Sequence, residues 1–369
     1  MSALSSPLVL GIDLAAVRAN YRFLCSMTEA KVAGVVKANA YGIGMADVVG
    51  ILEDEGCPFY FVATAAEGAE LRRLTHHPVA VLGGVSADEH DFYRAHRLTP
   101  VINTIDQIGI VGGWGIPAIL HIDTGMNRLG ISYTAFMEAV RTTPALASID
   151  LIYVMSHFSC ADEQHHPATP EQADRFKAAH EALCHRQGRY VPASLANSSG
   201  MFRNTAHHHD MVRPGMALYG LNPLPEQDSP MQPVVSLDAR ILQIRQVSAG
   251  ESTGYGASHI FDHDAIIATV GIGYADGLPR RLGNGRGQFF YKGFPCPILG
   301  RISMDLTVID LGAIPAASLP GPGDLVEVIG PHQDADVLAR VADTIGYEIL
   351  TQLSRRAVRH IKTRDTNGI

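Results

Sequence analysis

The chain has 369 residues, of which 46% are hydrophobic and 18% are charged. This composition is typical of a globular protein and excludes a disordered or fibrous one, and the length corresponds to two domains or to one large barrel with an appendage. The 29 basic and 37 acidic residues give a formal charge of −8 without a basic cluster, which argues against nucleic acid as a partner.

Several other classes of protein and site are not indicated. No apolar stretch approaches the roughly 18 residues of a membrane span, and the segment MSALSSPLVL lacks the basic start and long apolar region of a signal peptide, so we predict a cytoplasmic protein without membrane contact. The five cysteines are widely spaced and contain no CxxC pair, and His207, His208 and His209 are consecutive rather than spaced for one face. We therefore predict neither a disulfide framework nor a metal site.

Eight short apolar runs follow one another in the first 220 residues, with helical periodicity between them. They are continuous rather than alternating, as in strands that are buried on both faces. The runs span residues 31–37, 59–63, 78–83, 98–102, 117–123, 151–157, 191–197 and 211–219. Eight strands with intervening helices in about 200 residues predict a (β/α)8 TIM-type barrel, although periodicity alone also allows an open doubly wound sheet.

The character of the sequence changes at the Pro-rich segment LNPLPEQDSPMQP. Strands and turns follow, with helices predicted at about 335–345 and 350–355. We therefore predict a barrel domain over residues 10–225 and a mainly β domain over residues 226–369. The sequence does not identify the partner of a short strand within residues 1–12, and the β domain is one candidate.

Lys37 ends the first run, in the segment VVKANAYG. A charged ammonium at the end of a buried strand costs desolvation energy unless the amine is paired, deprotonated or covalently used. One interpretation is an amine of lowered pKa that forms a Schiff base with an aldehyde cofactor or a carbonyl substrate. The alternative is a lysine that reaches from the barrel mouth into solvent.

Polar residues also follow the later runs, at the end of the barrel where active sites are built. Each has an ordinary alternative as a helix cap, a buried hydrogen-bonded group or a surface ion pair. The residues are His121, Asp123 and Arg128 after the fifth run, Ser156 and His157 after the sixth, Asn197 and Ser198 after the seventh, and Arg213, Gly215 and Met216 after the eighth. The loops after the seventh and eighth strands of such barrels commonly bind phosphate. A phosphate site beside a reactive lysine suggests pyridoxal phosphate.

The ordered motifs resemble those of the alanine racemase family. VVKANAYGIG is similar to the family's cofactor-lysine segment, and the motifs that follow in the same order are HIDTGMNRLG, SHFSCAD, ANSSG, RPGMALYG, GYGASH, GYADGLPRRL, GRISMDL and YEIL. The resemblance extends from Lys37 to Tyr347. It implies a pyridoxal phosphate-dependent racemase that interconverts L- and D-alanine, with a barrel followed by a β domain.

The resemblance also implies roles for individual residues. Lys37 carries the cofactor and serves the D-face, and Tyr255 is the second acid/base on the L-face, because inversion of a carbon centre is simplest with one group on each side. Arg213 pairs with the pyridine nitrogen, and Arg213 and His157 are candidates to lower the Tyr255 pKa. The other implied cofactor-binding residues are Tyr41, Arg128, His157, Asn197, Ser198, Gly215, Met216 and Tyr347, and the implied substrate-binding residues are Arg128, Tyr274 and Met304.

The family further implies a head-to-tail homodimer, in which Tyr255, Tyr274, Met304 and Asp305 of one subunit complete the barrel site of the other. The sequence departs from the family pattern at three positions. His121 stands where many members carry a carbamate-modified lysine that orients the arginine, Ile43 replaces a histidine, and Ser303 replaces a cysteine seen in some relatives.

Three alternatives to alanine racemisation are open from the sequence. A broader amino-acid racemase that accepts serine differs only in the size of the substrate pocket. A decarboxylase of basic amino acids is disfavoured because the chain lacks a cysteine-bearing carboxyl-terminal motif of that kind. A carrier of pyridoxal phosphate resembles the N-terminal half but lacks a β domain that supplies Tyr255.

Overall fold

The computed structural model describes residues 6–147 and 149–363, which form two compact units. One unit is the segment Val17–Gln232, and the other combines the residues up to Ala16 with those from Pro233 onwards. Within the described residues, no helix combines the length and the apolar character that a membrane crossing requires. The chain begins with β1 (Leu8–Asp13), which belongs to the second unit, and α1 (Leu14–Ser26).

The first unit consists of short buried strands that alternate with helices. Its elements are β2 (Lys31–Val32), β3 (Gly34–Val35), α2 (Lys37–Tyr41), α3 (Met45–Asp54), β4 (Tyr60–Val62), α4 (Ala65–Leu71), β5 (Val79–Val81), α5 (His90–Ala95), β6 (Leu98–Ile102), α6 (Ile105–Gly112), β7 (Ala118–Asp123), β8 (Ile131–Ser132), α7 (Tyr133–Thr142), β9 (Leu151–Met155), α8 (Ala168–Gln187), β10 (Ala193–Ser194), α9 (Ser198–Arg203) and β11 (Met211–Val212).

The strands of this unit close into a parallel barrel. β3, β4, β5, β6, β7, β9 and β10 pair in that order, and β11 pairs with β2, which is separated from β3 by Ala33 alone. The amide of Arg213 donates to the carbonyl of Ala196 at 3.0 Å, which joins β10 to β11 and completes the ring. Each of the eight predicted runs contains a strand, so the predicted barrel is confirmed over the open-sheet alternative.

The second unit is mainly β-sheet. Its further elements are β12 (Val235–Val247), β13 (Ser252–Thr253), β14 (His259–Ile260), β15 (Ala265–Val270), β16 (Gln288–Tyr291), β17 (Phe294–Leu299), β18 (Thr307–Asp310), β19 (Leu325–Ile329), α10 (Ala335–Val341), α11 (Gly346–Thr351) and β20 (Val358–Lys362). Its core is formed by the alternate residues of these strands, as the burial pattern of β12 shows in its first half.

The antiparallel strands of this unit also form a ring. The long strand β12 pairs with β19 along its first half and with β15 along its second half, and an irregularity between Ile241 and Gln243 marks the change of partner. β15, β18, β17, β16 and β19 pair in that order and so return to β12. β1 pairs with β12 and β20, which supplies the partner that the sequence could not identify.

The helix predicted at about 350–355 is wrong in position. α11 ends at Thr351, whose hydroxyl donates to the carbonyl of Tyr347 at 2.8 Å. Ser354 lies beyond the helix, where its hydroxyl donates to the buried Asp276 at 3.0 Å. This tertiary hydrogen bond directs the chain away from a helical path, and a pattern of local residues does not reveal it.

Candidate active site

Lys37 lies at the carboxyl end of β3, in a backbone segment of unusual conformation. The four residues that follow it, Ala38 to Tyr41, have φ values of 52° to 56°, so that α2 is one left-handed turn and not a right-handed helix. Such a conformation costs roughly 1–2 kcal/mol for each residue that is not glycine. Strain of this kind is found where a site requires a defined backbone path, which makes this segment a candidate for function.

Hydrogen bonds from neighbouring elements stabilise the strained turn. The amide of Ala38 donates to Oε1 of Glu67 at 2.7 Å, and the amide of Met45 donates to Oδ1 of Asn39 at 2.8 Å. Oε2 of the same Glu67 also accepts from the amide of Ala63, and Thr64 and Glu67 form a capping box at the start of α4. Helix α4 therefore holds the backbone beside Lys37.

The environment of Lys37 favours its neutral amine. Burial lowers the pKa of Lys37, and the positive charge of Arg128 lowers it further, whereas the negative charge of Glu67 acts in the opposite direction. A neutral amine has a free electron pair, so it can attack an aldehyde or accept a proton. Burial of Lys37 thus shifts its equilibrium towards the uncharged amine, which is the property that the reactive-amine interpretation requires.

Ser198, Gly215 and Tyr41 form a compact group at the ends of the last strands. Oγ of Ser198 accepts from the amides of Gly215 at 3.0 Å and Ala217 at 3.3 Å. The hydroxyl of Tyr41 lies so close to Gly215 that a Cβ at that position would be 2.3 Å from the tyrosine oxygen. Only glycine fits there, and the hydroxyl of Ser198, whose oxygen accepts from these two amides, still has a proton that it can donate to a phosphate.

Arg213 lies inside the barrel and is deeply buried. Its guanidinium donates to Oγ of Ser194 and to the backbone carbonyl of Ser156, the latter at 2.5 Å, and lies 5.9 Å from the ring centre of Phe61. Burial lowers the pKa of Arg213 to about 10, so the group is still protonated at neutral pH. A fixed, buried cation can donate a hydrogen bond to a ligand but cannot accept one.

His157 and Asn197 lie beside Arg213. The Asn197 side chain caps α9 by accepting from the amide of Gly200 at 2.9 Å, and its nitrogen lies 3.4 Å from Nε2 of His157. Burial lowers the pKa of His157 well below its usual range, and the charges of Arg213 and Arg128 lower it further. His157 is therefore neutral at pH 7.

His121 lies within β7, and Arg128 follows this strand at the same mouth of the barrel. Arg128 is exposed in a turn that Asp123 fixes by accepting from the amides of Gly125 and Met126, each at 2.8 Å. His121 is buried, and its Nδ1 lies 2.8 Å from Oδ1 of Asn103. Because Oδ1 can only accept, Nδ1 carries the proton, and burial lowers the pKa of His121 to about 3.

The β unit presents a second group of predicted residues on its own surface. Tyr255, Met304 and Tyr274 are 68%, 54% and 43% exposed, although they are large and apolar. Tyr255 and Tyr274 line a pocket of about 290 Å³ together with Arg280 and Ile302. Large exposed apolar side chains in one patch are typical of a binding surface.

Local backbone contacts hold this second group in place. Gly254 has a φ of +80°, and a Cβ there would lie 2.8 Å from the amide nitrogen of Arg301, so the turn before Tyr255 requires glycine. The amide of Tyr274 donates to the carbonyl of Ser303 at 3.1 Å, which places the turn of Tyr274 beside that of Met304. Exposed side chains here are thus carried on an ordered backbone.

The predicted residues therefore fall into two groups. The barrel mouth holds Lys37, Tyr41, Arg128, His157, Asn197, Ser198, Arg213, Gly215 and Met216. The β unit holds Tyr255, Tyr274 and Met304, with Asp305 in an ion pair with Arg356 at 2.8 Å, and the half-buried Tyr347 on α11.

Sequence reasoning missed three supporting residues, namely Glu67, Asn103 and Arg356. Glu67 could have been found, because Thr64 and Glu67 have the spacing of a capping box. Asn103 and Arg356 carry no such signal, since their partners His121, Asp276 and Asp305 are distant in sequence.

Comparisons with known proteins cover both units. The family model for the N-terminal domain of alanine racemase matches residues 12–223, and the model for the C-terminal domain matches residues 234–361. A catabolic alanine racemase of Mesorhizobium japonicum is 42% identical over 361 residues, which are 95% of this chain and 92% of the relative. An alanine racemase of Acidiphilium cryptum is 41% identical over 360 residues, which are 96% of this chain and 98% of the relative.

Solved structures of similar proteins agree with these matches. The alanine racemase of Bartonella henselae, which contains covalently bound pyridoxal phosphate, superimposes with a TM-score of 0.91 at 32% identity, over 97% of this chain and all of that one. The biosynthetic alanine racemase of Pseudomonas aeruginosa gives a TM-score of 0.88 at 34% identity over the same shares of the two chains.

Proposed function

Because this chain belongs to the alanine racemase family, we propose that Lys37 and Tyr255 are the two groups that exchange the proton at the α-carbon of alanine. The chain is an isomerase that uses pyridoxal phosphate to interconvert L- and D-alanine. The observation that carries the assignment of Lys37 is its lowered pKa, produced by burial and by Arg128, at the start of a strained turn.

The chemistry of the barrel residues fits pyridoxal phosphate. Lys37 supplies an amine of lowered pKa for its aldehyde, and Ser198 together with the close approach of Tyr41 to Gly215, which a Cβ would block, supplies a cradle for its phosphate. Arg213 supplies a donor for its ring nitrogen. When bound, this cofactor withdraws electrons from the bonds of the substrate α-carbon, so that its hydrogen can leave as a proton.

The protein residues then decide how the proton moves. On one face, the amine of Lys37 accepts a proton and its protonated form returns one, and on the opposite face the phenolic oxygen of Tyr255 accepts a proton and its hydroxyl form returns one. Arg213 stays protonated and only donates a hydrogen bond, which limits electron withdrawal through the ring nitrogen and favours return of the proton over other reactions. Arg128 is suited to hold the substrate carboxylate.

The groups of the β unit are proposed to act on the barrel site of a second copy. In this head-to-tail homodimer, Tyr255, Tyr274 and Met304 of one protomer reach the Lys37 of its partner. Support comes from their exposure of 43% to 68%, because apolar side chains of this size in one patch mark a surface that another molecule covers. Tyr274 and Met304 would confine the substrate side chain, which favours alanine over larger amino acids.

Substitution of the tyrosine tests the two-base assignment. We expect Tyr255→Phe to lower racemisation at least about a hundredfold while the cofactor remains bound, because the variant loses only a general acid/base group. Tyr190→Phe is the matched control, since Tyr190 is also exposed, at 60%, but lies on the barrel unit. An unchanged rate in Tyr255→Phe would remove this residue from the reaction.

Hybrid dimers test whether the two bases come from different protomers. Lys37→Ala and Tyr255→Phe are each expected to be inactive alone. When equal amounts are unfolded and refolded together, half of the dimers are mixed, and each mixed dimer has one intact site if the bases are shared. We expect activity of about one quarter of the wild type. No recovery in a mixture that contains mixed dimers would contradict the shared site but not the role of either base.

A further inference from the structure

The segment between β9 and α8 contains a group of side chains that the racemase reaction does not use. Cys160, Glu163 and His166 each offer one ligand atom, and these sulfur, oxygen and nitrogen atoms all lie within 4.8 Å of one another. In the part of the chain that the structure describes, this is the only group of three or more such ligands with that spacing.

The backbone of the segment explains why these three residues meet. The amide of Glu163 donates to the carbonyl of Cys160 at 3.1 Å, and the amide of His166 donates to the carbonyl of Glu163 at 3.4 Å. Hydrogen bonds to the third residue back give three residues per turn, so side chains at every third position lie above one another. The segment thus places Cys160, Glu163 and His166 on one side, whereas His165 falls out of this register.

The side chains supply ligand atoms of the types that bind metal ions. The amide of Ala168 donates to Nδ1 of His166 at 3.2 Å, so a neutral imidazole carries its proton on Nε2, and a metal ion would replace either this hydrogen bond or that proton. Cys160 and His166 are half-buried and Glu163 is exposed, so the group is open to solvent on one side. A set of one sulfur, one nitrogen and one carboxylate oxygen is suited to zinc among the common divalent ions, with water as the fourth ligand.

We propose that Cys160, Glu163 and His166 form a binding site for a divalent zinc-like cation. Ligand atoms around tetrahedral zinc lie roughly 3–4 Å apart, given bond lengths of about 2.0–2.3 Å, so small side-chain rotations from the present separation suffice. Binding forms the zinc–sulfur bond, and the thiol proton passes to solvent. A bound ion would link Cys160, near the end of β9, to His166, near the start of α8.

The proposal does not rest on the assignment of Lys37 and Tyr255, because none of its three ligands belongs to the proposed cofactor- or substrate-binding residues. Gln172 on α8 connects the segment to its surroundings, because its side chain donates to the carbonyl of His157 at 2.9 Å and accepts from the amide of Ser159 at 2.9 Å. The segment is therefore anchored just before Cys160, which limits the conformational entropy that a bound ion must overcome.

Metal binding by the purified holoenzyme tests the proposal. After dialysis against excess Zn²⁺ and then against metal-free buffer, we expect the wild type to retain one zinc per chain by elemental analysis. Cys160→Ser and His166→Gln should each lose at least about tenfold in zinc affinity, since each removes one of three protein ligands. His165→Gln and Cys184→Ser are the matched controls and should bind zinc like the wild type.

A second readout does not depend on the folding of any variant. Addition of Co²⁺ to the wild-type holoenzyme should produce a thiolate-to-cobalt absorption band in the difference spectrum, and excess Zn²⁺ should abolish it. Retention of zinc by Cys160→Ser and His166→Gln at the wild-type level would overturn the proposal. Absence of both retained zinc and the cobalt band in the wild type would also overturn it.

Discussion

Substitution of Gly215 by alanine tests the geometry of the proposed phosphate cradle. The new Cβ would lie 2.3 Å from the Tyr41 hydroxyl and 3.1 Å from its Cζ, so the tyrosine oxygen must move by about 1 Å to reach an ordinary contact. Tyr41 is buried and its ring centre lies 4.6 Å from that of Tyr219, which restricts this movement. Overpacking of this kind costs about 1–3 kcal/mol, and cofactor binding weakens by roughly 5- to 150-fold if Tyr41 contacts the phosphate only from its present, clashing position.

The assay is titration of the apoenzyme with pyridoxal phosphate, followed by absorbance of the bound cofactor. Gly109→Ala on α6 is the matched control, because a Cβ there meets nothing within 4 Å, and it should leave the dissociation constant unchanged. The double variant Gly215→Ala with Tyr41→Phe removes the closest clashing atom. In a denaturant titration it should recover part of the unfolding free energy that Gly215→Ala loses. An unchanged dissociation constant in Gly215→Ala would refute the placement of the phosphate beside this residue.

Further predictions concern the charges around Lys37 and His121. Glu67 raises and Arg128 lowers the Lys37 pKa. The midpoint pH for reaction of Lys37 with the cofactor should therefore fall in Glu67→Gln and rise in Arg128→Gln, and equal midpoints in the two variants would contradict this. The folded-state pKa of His121 is about 3, below its unfolded value, so stability is lost as pH falls from about 6.5 to 3. The unfolding free energy, measured with denaturant, should therefore fall less steeply with decreasing pH in His121→Asn than in the wild type. The two slopes should differ by up to about 1.4 kcal/mol per pH unit, and equal slopes would contradict this prediction. Asn103→Leu should cost about 1–3 kcal/mol in the same assay, because the buried N–H of His121 loses its acceptor, and a neutral change would refute that bond.

Most of the barrel could be predicted from the sequence because its strands are buried on both faces. Such strands appear as continuous apolar runs, and eight of them in sequence indicate the closed barrel that the structure contains. The pairing of β1 with β12 and β20 could not be predicted, because hydrogen bonds between segments more than 200 residues apart leave no local pattern. The position of α11 could not be predicted for the same reason, since Ser354, which lies beyond the helix, bonds to Asp276, 78 residues away.

The candidate site was predictable to the extent that its residues end buried strands. Lys37 is such a residue, and its unusual position is visible in the sequence. The left-handed turn after it was not visible, because Ala38 and Ala40 have no intrinsic preference for positive φ, and hydrogen bonds to Glu67 and Asn39 impose the conformation. The sequence did not suggest the proposed zinc-like site either, because Cys160, Glu163 and His166 are brought together by the turns of an irregular segment rather than by a CxxC pair.

The measurement that tests the central claim most directly is racemisation of L-alanine in D₂O, followed by proton NMR during the first turnovers. Two bases on opposite faces remove the proton with one group and deliver a deuteron with the other. The account therefore predicts that the first D-alanine formed carries deuterium at its α-carbon while the remaining L-alanine still carries hydrogen. Early D-alanine that retains most of its α-proton would contradict the account, because a single group would then have carried the proton from one face to the other.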